Sequence, residues 1–367
     1  MRPERECVSN RQCFWLLFLI LCGGTVTHNL TGTAGRDAWL SVLGGALAAA
    51  ALYAVTLAAR KRFPGLDFFA MLRRVFGRFG GGIVTAVLLA AALLSAGVVT
   101  ANFALFLRVA SMPRTPPVFW CLLMLASACF LVSNGLMPAA RFAGAAAPVV
   151  LVCLVLSTVL SLPQARLSEL LPVLGRGVLP VVRGALASFV MPFLEGFFLI
   201  ALLPFGAEEE RGYKKPVFLG LLVAAAVLLP VFMRNVIVLR YPVSSFFYYP
   251  SYEATGLITA GGFFEREEVI TALVFLLCDA IRVAVITLFA ARALASFFPR
   301  MRYAELWCAA AALGLSLLQL GSSMNAIALL ENYQYAAVPL VAAPALVIWL
   351  ASFRPGARMH EKRQPKA

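Results

Sequence analysis

Three ionisable residues lie well inside apolar segments, where a charge must be either used or neutralised. Glu195 lies in one such segment, and Asp279 and Arg282 lie together in another. A charge at the centre of a membrane helix costs about 2.5–3.5 kcal/mol on insertion scales, against a gain of about 0.3–0.6 kcal/mol for a leucine or isoleucine. These side chains must therefore face protein or water. There they can bind a charged ligand, move a proton or ion, or pair with each other.

The spacing of these charges leaves two interpretations open. Asp279 and Arg282 are three residues apart, so in a helix they share a face and can form an internal ion pair. The alternative for this pair is a ligand or ion site. Glu195 has no partner nearby in the sequence. It can bind a ligand amine, carry a proton or meet Arg282.

Two apolar segments also contain residues that interrupt a helix, and an interrupted helix frees backbone groups for binding. These residues are Gly23, Gly24 and Thr25 in the first span, and Pro192 and Gly196 in the sixth. Proline removes a backbone donor, and glycine lets a ligand approach the main chain closely. Broken helices at corresponding places in two halves of a transporter line its substrate site. An ordinary proline kink or tight glycine packing is the alternative.

Other kinds of chemistry lack their motifs. The sequence contains no Walker loop, GxSxG, HExxH or DxD motif, and its aspartates are only Asp37, Asp67 and Asp279. Its eight cysteines form no CxxC pair, and it has two histidines. We therefore expect no catalysis, no metal site and no cofactor. The net charge of +14 comes from Lys and Arg placed in gaps between apolar runs, which excludes a nucleic-acid surface.

The elements that position these residues are membrane helices, because 62% of the residues are hydrophobic and only 13% are charged. A helix needs about 20 apolar residues to cross a bilayer. The predicted spans are 13–30, 39–59, 82–107, 118–134, 142–162, 184–204, 217–238, 269–289, 304–320 and 335–353. The first lacks a clean cleavage site, so we interpret it as a retained helix rather than a signal peptide. The sequence thus predicts an all-α polytopic membrane protein.

The positions of the basic residues predict the topology. With the N-terminus inside, the inner segments hold 21 Lys and Arg and the outer segments hold 9, with Arg282 inside a span. Basic residues are retained on the cytoplasmic face, so both termini are predicted to be cytoplasmic. The predicted organisation is one transmembrane domain, 1–367. Its parts are an N-terminal tail (1–12), a first five-helix repeat (13–162), a second repeat (184–353) with an external loop (239–268), and a basic C-terminal tail (354–367).

Two connecting segments have their own patterns. Apolar residues in 66–76 recur at helical spacing opposite Arg73, Arg74 and Arg78, which predicts an amphipathic helix at the membrane surface. It can simply anchor the loop or contact a partner. The external loop is rich in aromatic residues, which can form a gate or anchor the chain at headgroup level.

Several motifs resemble a known family, the spore germination permeases, which are the B subunits of GerA-type germinant receptors. They are TAGRDAW (33–39), RFPG (62–65), LLPVLGRGVLPVVRGAL (170–186), YPSYE (249–253) and FFERE (263–267). The resemblance implies the fold of the amino acid, polyamine and organocation transporters, a LeuT-like five-plus-five inverted repeat with helices 1 and 6 broken. It also implies a place in the inner membrane of the spore beside A and C receptor subunits.

The resemblance further implies a pocket for a small germinant, often an amino acid. Carried onto this sequence, the pocket is lined by helix 1 around 23–25, by helix 6 from Ser188 to Gly196, and by helices 3 and 8, with Asn102 as a candidate in helix 3. We interpret the protein as a sensor in which a nutrient shifts two conformations and the shift passes to partner subunits. The alternative is a proton- or ion-coupled amino acid transporter.

Overall fold

The computed structural model describes residues 8–23, 29–63, 65–110, 112–204, 212–257, 268–321 and 337–351. Within these ranges the chain is helical and contains no strand. The α-helices are α1 Asn10–Cys22, α2 Leu30–Ala34, α3 Ala38–Lys61, α4 Phe68–Ala110, α5 Pro117–Val132, α6 Leu136–Leu160, α7 Val178–Val190, α8 Gly196–Leu202, α9 Lys214–Leu239, α10 Pro250–Gly256, α11 Glu268–Phe297, α12 Ala304–Leu320 and α13 Ala343–Ala351.

The number of apolar helical segments in the described ranges agrees with the ten predicted spans. Six segments are long and apolar enough to cross a membrane, and four shorter apolar helices accompany them. The fifth span begins earlier than predicted, at Leu136, because Arg141 is exposed on the helix surface and does not end the helix. The first is shorter than predicted, since α1 ends at Cys22. Residues 24–28, where Gly24 and Thr25 lie, and the start of the tenth span fall outside the described residues.

The first and sixth spans lie at the centre of the helical bundle. In α1, every residue from Leu16 to Cys22 is buried. The apolar window of α7 and α8 is 89% buried, compared with 33% for that of α6. Helices that face lipid keep an exposed apolar side, so these two spans are surrounded by the others. α1 packs against α6, α9 and α11, and α8 packs against α3 and α11.

The connecting segments gather into two separate sets, as an up-and-down bundle requires. In one set, Arg176 Nη1 donates to the Tyr241 hydroxyl at 3.2 Å, joining two segments predicted to be outside. In the other, the Tyr213 hydroxyl donates to the Val8 carbonyl at 2.7 Å, joining two segments predicted to be inside. The alternation of the predicted spans is consistent with these contacts. The side that faces the cytoplasm stays a prediction.

The predicted amphipathic segment is the first part of α4, and Gly77 separates it from the membrane span. Gly77 has φ 75° and ψ 176°, a conformation that glycine adopts without strain. Before this break the segment buries Phe68 and Leu72 and exposes Arg73 and Arg74. The Arg73 guanidinium donates to the carbonyl of Ser296, near the end of α11. The segment is therefore fixed to α11 as well as suited to the membrane surface.

Candidate ligand-binding centre

The sixth predicted span is interrupted between α7 and α8, at residues 191–195. Pro192 lies in this interruption and has no backbone donor to continue a helix. The hydroxyl of Tyr53, in α3, donates to the Phe193 carbonyl at 2.5 Å and satisfies a group that the interruption leaves free. Gly196 is needed for this contact, because a Cβ at that position would overlap the Tyr53 hydroxyl. A side chain from α3 thus stabilises the interrupted backbone of the sixth span.

Glu195, the charged residue within the break, pairs with Arg282. The guanidinium donates from Nη2 to Glu195 Oε1 at 2.8 Å and from Nε to Glu195 Oε2. The hydroxyl of Ser95, in α4, donates to the same Oε1 at 3.0 Å. All three side chains are buried. Bidentate pairing gives this ion pair the geometry that a buried pair needs to offset desolvation.

Asp279 completes the charged cluster. Arg282 Nη1 donates to Asp279 Oδ1 at 3.3 Å, so the two residues pair across one helical turn of α11. Both predicted internal contacts of Arg282, with Asp279 and with Glu195, therefore occur together. Gly23, which follows α1, lies against this pair: a Cβ on Gly23 would be 2.8 Å from Asp279 Oδ1 and 3.2 Å from Arg282 Cδ.

Aromatic side chains form one group on either side of the charged cluster along α11. On the predicted inner side, Phe68, Phe197, Phe198 and Phe289 contact one another with ring centroids 4.9–6.4 Å apart. On the predicted outer side, the group is Phe103, Phe106, Phe275, Tyr249 and Tyr252. At about 1.5 Å per residue, Phe275 and Phe289 of α11 lie about 21 Å apart, with Asp279 and Arg282 between them. We call these groups the inner and outer aromatic layers.

Two of the predicted site residues, Asn102 and Ser188, make contacts outside the charged cluster. Asn102 accepts a hydrogen bond at 3.2 Å from the hydroxyl of Tyr248, in the external loop. Ser188 packs against α3, where a Cβ on Gly45 would be 2.8 Å from the Ser188 hydroxyl oxygen. Small residues such as Gly45 and Ser188 on facing helices allow the two helices to pack closely. The structure thus brings together Gly23, Glu195, Asp279 and Arg282 around one centre, beside the break at Pro192 and Gly196.

Two residues of this centre were missed in the sequence. Ser95 and Tyr53 both lie within apolar spans, but neither carries a charge, and small hydroxyl residues are common in membrane helices. Their one signal is position: Ser95 lies at the middle of its predicted span, as Glu195 does, and Tyr53 lies in the second half of its own span. Depth alone does not show which face of a helix points inward.

The contact from Tyr53 gives a first prediction. Replacing Tyr53 with phenylalanine should leave the Phe193 carbonyl buried without this donor and lower the stability of the purified protein by about 1–3 kcal/mol. Thermal unfolding in detergent, followed by circular dichroism, measures this loss. Tyr303→Phe is the matched control, since Tyr303 is 70% exposed and should change nothing. Equal stability of Tyr53→Phe and the unsubstituted chain would show that this bond does not support the break.

Comparison with solved structures shows the fold. Mhp1, a nucleobase-cation-symport-1 family transporter in a closed conformation with bromovinylhydantoin bound, matches with a TM-score of 0.65 and 17% identity, over 87% of this chain and 73% of that chain. A Na⁺-coupled sialic acid symporter in a substrate-bound outward-open state matches at 0.55 and 12%, over 92% and 76%. MhsT in complex with L-phenylalanine matches at 0.50 and 13%, over 92% and 87%. The predicted LeuT-like fold is confirmed.

Sequence comparison gives one further match. A family model described as spore germination protein covers residues 7–318. The matched region includes eight of the ten predicted spans completely, most of the ninth, and every residue of the charged cluster. No curated protein matches the chain.

Proposed function

Because the chain belongs to the spore germination protein family, we propose that it is the nutrient-sensing subunit of a spore germinant receptor. It binds a small germinant, an amino acid, in a transporter-like pocket and triggers germination through A and C partner subunits. It spans the inner membrane of the spore, with both termini in the cytoplasm. It has no enzymatic activity and does not bind nucleic acid.

This proposal rests on one observation: the sixth span is interrupted at the centre of the bundle, and a charged residue lies within the interruption. In a LeuT-like fold, ligands bind where the first and sixth helices lose their regular winding. Here the sixth span is interrupted at that place, and Glu195 within the interruption pairs with Arg282 of α11. A buried polar centre of this kind is costly in a membrane and is a functional site by default.

The mechanism follows from the two aromatic layers. With both layers closed, a ligand at the charged cluster is separated from water on either side. The outer layer includes Tyr249 and Tyr252 of the external loop, whose hydroxyls donate to the carbonyls of Asn102 and Ala110 in α4. We propose that this loop admits the germinant. A ligand that binds the closed state more tightly than the open state shifts the population toward closure, and partner subunits respond to that shift.

The test of this function is germination by spores that carry Glu195→Gln. This change leaves one positive charge, Arg282, beside one negative charge, Asp279, so the protein should still insert and fold. We expect the response to the germinant to fall at least about 100-fold, because the bidentate ion pair is lost. Glu169→Gln, in a partly exposed ion pair with Arg36, is the control. Normal germination of Glu195→Gln spores, with the protein present at its usual level, would refute the pocket.

A second function, proton- or ion-coupled amino acid transport, is favoured by the fold shared with transporters. Proteoliposomes distinguish the two functions. A sensor that needs its partner subunits should not accumulate labelled amino acids when reconstituted alone. Accumulation driven by a proton or sodium gradient, and lost in Glu195→Gln, would favour the transporter.

A further inference from the structure

Two shallow cavities lie on the surface of the bundle where the end of α11 meets the part of α4 that follows Gly77. The first, of about 560 Å³, is lined by Arg78, Phe79, Gly82, Ile83, Ala86 and Phe297. The second, of about 480 Å³, is lined by Phe297, Phe298, Pro299, Arg300 and Met301. Because Phe297 borders both, the cavities are adjacent, and we call them together the inner groove. They lie on the side of the membrane predicted to be cytoplasmic.

The inner groove is apolar apart from one arginine at each cavity. Phe79 is 82% exposed, Phe298 is 60% exposed and Ile83 is 51% exposed. In a soluble protein a contiguous exposed apolar surface marks a binding site, but in a membrane protein acyl chains cover such a surface. The apolar lining by itself therefore indicates contact with lipid and no selection among lipids.

The two arginines add positive charge to this apolar surface. Arg78 borders the first cavity and Arg300 the second, and both are exposed. Neither forms an ion pair with any residue that the structure describes. Arg73 adds a third positive charge nearby, since its guanidinium donates to the carbonyl of Ser296, the residue before Phe297. Basic pockets between membrane helices on the cytoplasmic side attract anionic lipid headgroups.

The length of the first cavity matches one leaflet of a bilayer. From Arg78 to Ala86 the helix rises about 12 Å, at about 1.5 Å per residue. The hydrocarbon of one leaflet is about 15 Å thick, half of the bilayer core. With Arg78 at headgroup level, the apolar part of the cavity thus extends most of the way to the middle of the membrane. A soluble anion would leave this part unused, whereas a phospholipid matches both the charge and the apolar length.

We propose that the inner groove binds one anionic phospholipid. Its phosphate interacts with Arg78 and Arg300, and an acyl chain lies along Phe79, Ile83 and Phe297. The site is separate from the charged cluster, and it does not rest on the proposed function. The bound lipid contacts α4 and the end of α11 at the same time, so it stabilises the junction between these two helices.

The proposal is tested by titrating the purified full-length chain in detergent with phosphatidylglycerol and following its unfolding temperature. Native mass spectrometry counts the phospholipid molecules that stay bound. We expect phosphatidylglycerol to stabilise the chain at lower concentration than phosphatidylcholine with the same acyl chains, and one molecule to be retained. Inorganic phosphate should not stabilise it, because phosphate alone does not fill the apolar part of the groove.

The double substitution Arg78→Gln and Arg300→Gln tests the charge. We expect the dissociation constant for phosphatidylglycerol to rise about 25-fold, because each arginine near an anionic lipid contributes a factor of about 5. Arg108→Gln with Arg114→Gln is the matched control. It also removes two exposed arginines, but at the opposite, outer end of α4. Its affinity for phosphatidylglycerol should be unchanged.

Gly82→Leu tests the apolar part without changing the charge. A Cβ on Gly82 would lie 3.8 Å from the ring of Phe297, an ordinary contact, so the protein should fold with the leucine side chain in the first cavity. We expect it to lose the retained phosphatidylglycerol. Gly144→Leu is the matched control in α6, where a Cβ would have nothing within 4 Å. It should retain the lipid.

Equal stabilisation by phosphatidylglycerol and phosphatidylcholine would overturn the proposal, because the groove would then contact lipid without selecting its headgroup. So would stabilisation by inorganic phosphate alone, or unchanged affinity in a folded Arg78→Gln and Arg300→Gln protein. The comparison of the two lipids uses the unsubstituted chain, so it decides the question even if a variant does not fold. None of these results depends on germination by Glu195→Gln spores, which tests the proposed function separately.

Discussion

Replacing Arg282 with leucine is expected to prevent the protein from accumulating in a folded form. The change leaves Glu195 and Asp279 as two buried carboxylates with no counterion among the described residues. Removing one partner of a buried ion pair typically costs about 3–5 kcal/mol, which is a large part of the stability of a protein. The amount of folded protein in detergent extracts, measured by fluorescence-detected size-exclusion chromatography, reports this loss.

A compensated variant separates the charge effect from lost packing. The triple substitution Arg282→Leu, Glu195→Leu and Asp279→Val removes all three charges together, and replacing a whole buried ion cluster by apolar residues is often nearly neutral for stability. We expect it to restore folded protein but not the germination response. Normal accumulation of Arg282→Leu alone would show that the two carboxylates do not depend on this arginine.

The second large effect is expected for Gly196→Ala, a change of one methyl group. The added Cβ would overlap the Tyr53 hydroxyl and lie 2.8 Å from Leu17 Cδ1, so α3 and α1 would both have to move. Overpacking of this kind costs about 1–3 kcal/mol, and more where no neighbour can give way. We expect a lower unfolding temperature and loss of ligand-induced stabilisation.

Gly144→Ala is the control for this prediction. Gly144 lies in α6, and a Cβ there would have nothing within 4 Å. Its unfolding temperature should be unchanged or slightly higher, since alanine favours helix over glycine. If the two alanine variants unfold at the same temperature, the close approach of Tyr53 to Gly196 is not part of the native state.

The spans and the break at Pro192 could be predicted because each depends on local properties of the sequence. Hydropathy over about 20 residues locates a membrane helix, and a proline with a nearby glycine indicates where it is interrupted. The contact between Asp279 and Arg282 follows from helical spacing alone. These features need no knowledge of how the helices pack.

The rest of the centre depends on packing between helices far apart in the sequence. Pairing with Arg282 was one of three roles open to Glu195, and 87 residues separate the two. Ser188 stays a predicted pocket residue, and its close approach to Gly45 of α3 could not be predicted from the spacing within its own helix. Asn102 stays a predicted pocket residue, and the structure adds that it accepts a hydrogen bond from Tyr248. No periodicity in one helix identifies the helix it will face.

The hydrogen bond from Arg73 to Ser296 links the end of α11 to the amphipathic segment that is predicted to lie at the inner membrane surface. α11 is one continuous helix that carries Asp279 and Arg282 at its middle and Ser296 about 20 Å further along. When a straight helix tilts about its middle, its ends move. Here the end of α11 is hydrogen-bonded to the arginine-rich first part of α4, which would move with it. A tilt of α11 that accommodates a solute would thus move positive charge at the membrane surface predicted to be cytoplasmic, where a neighbouring protein could respond to it.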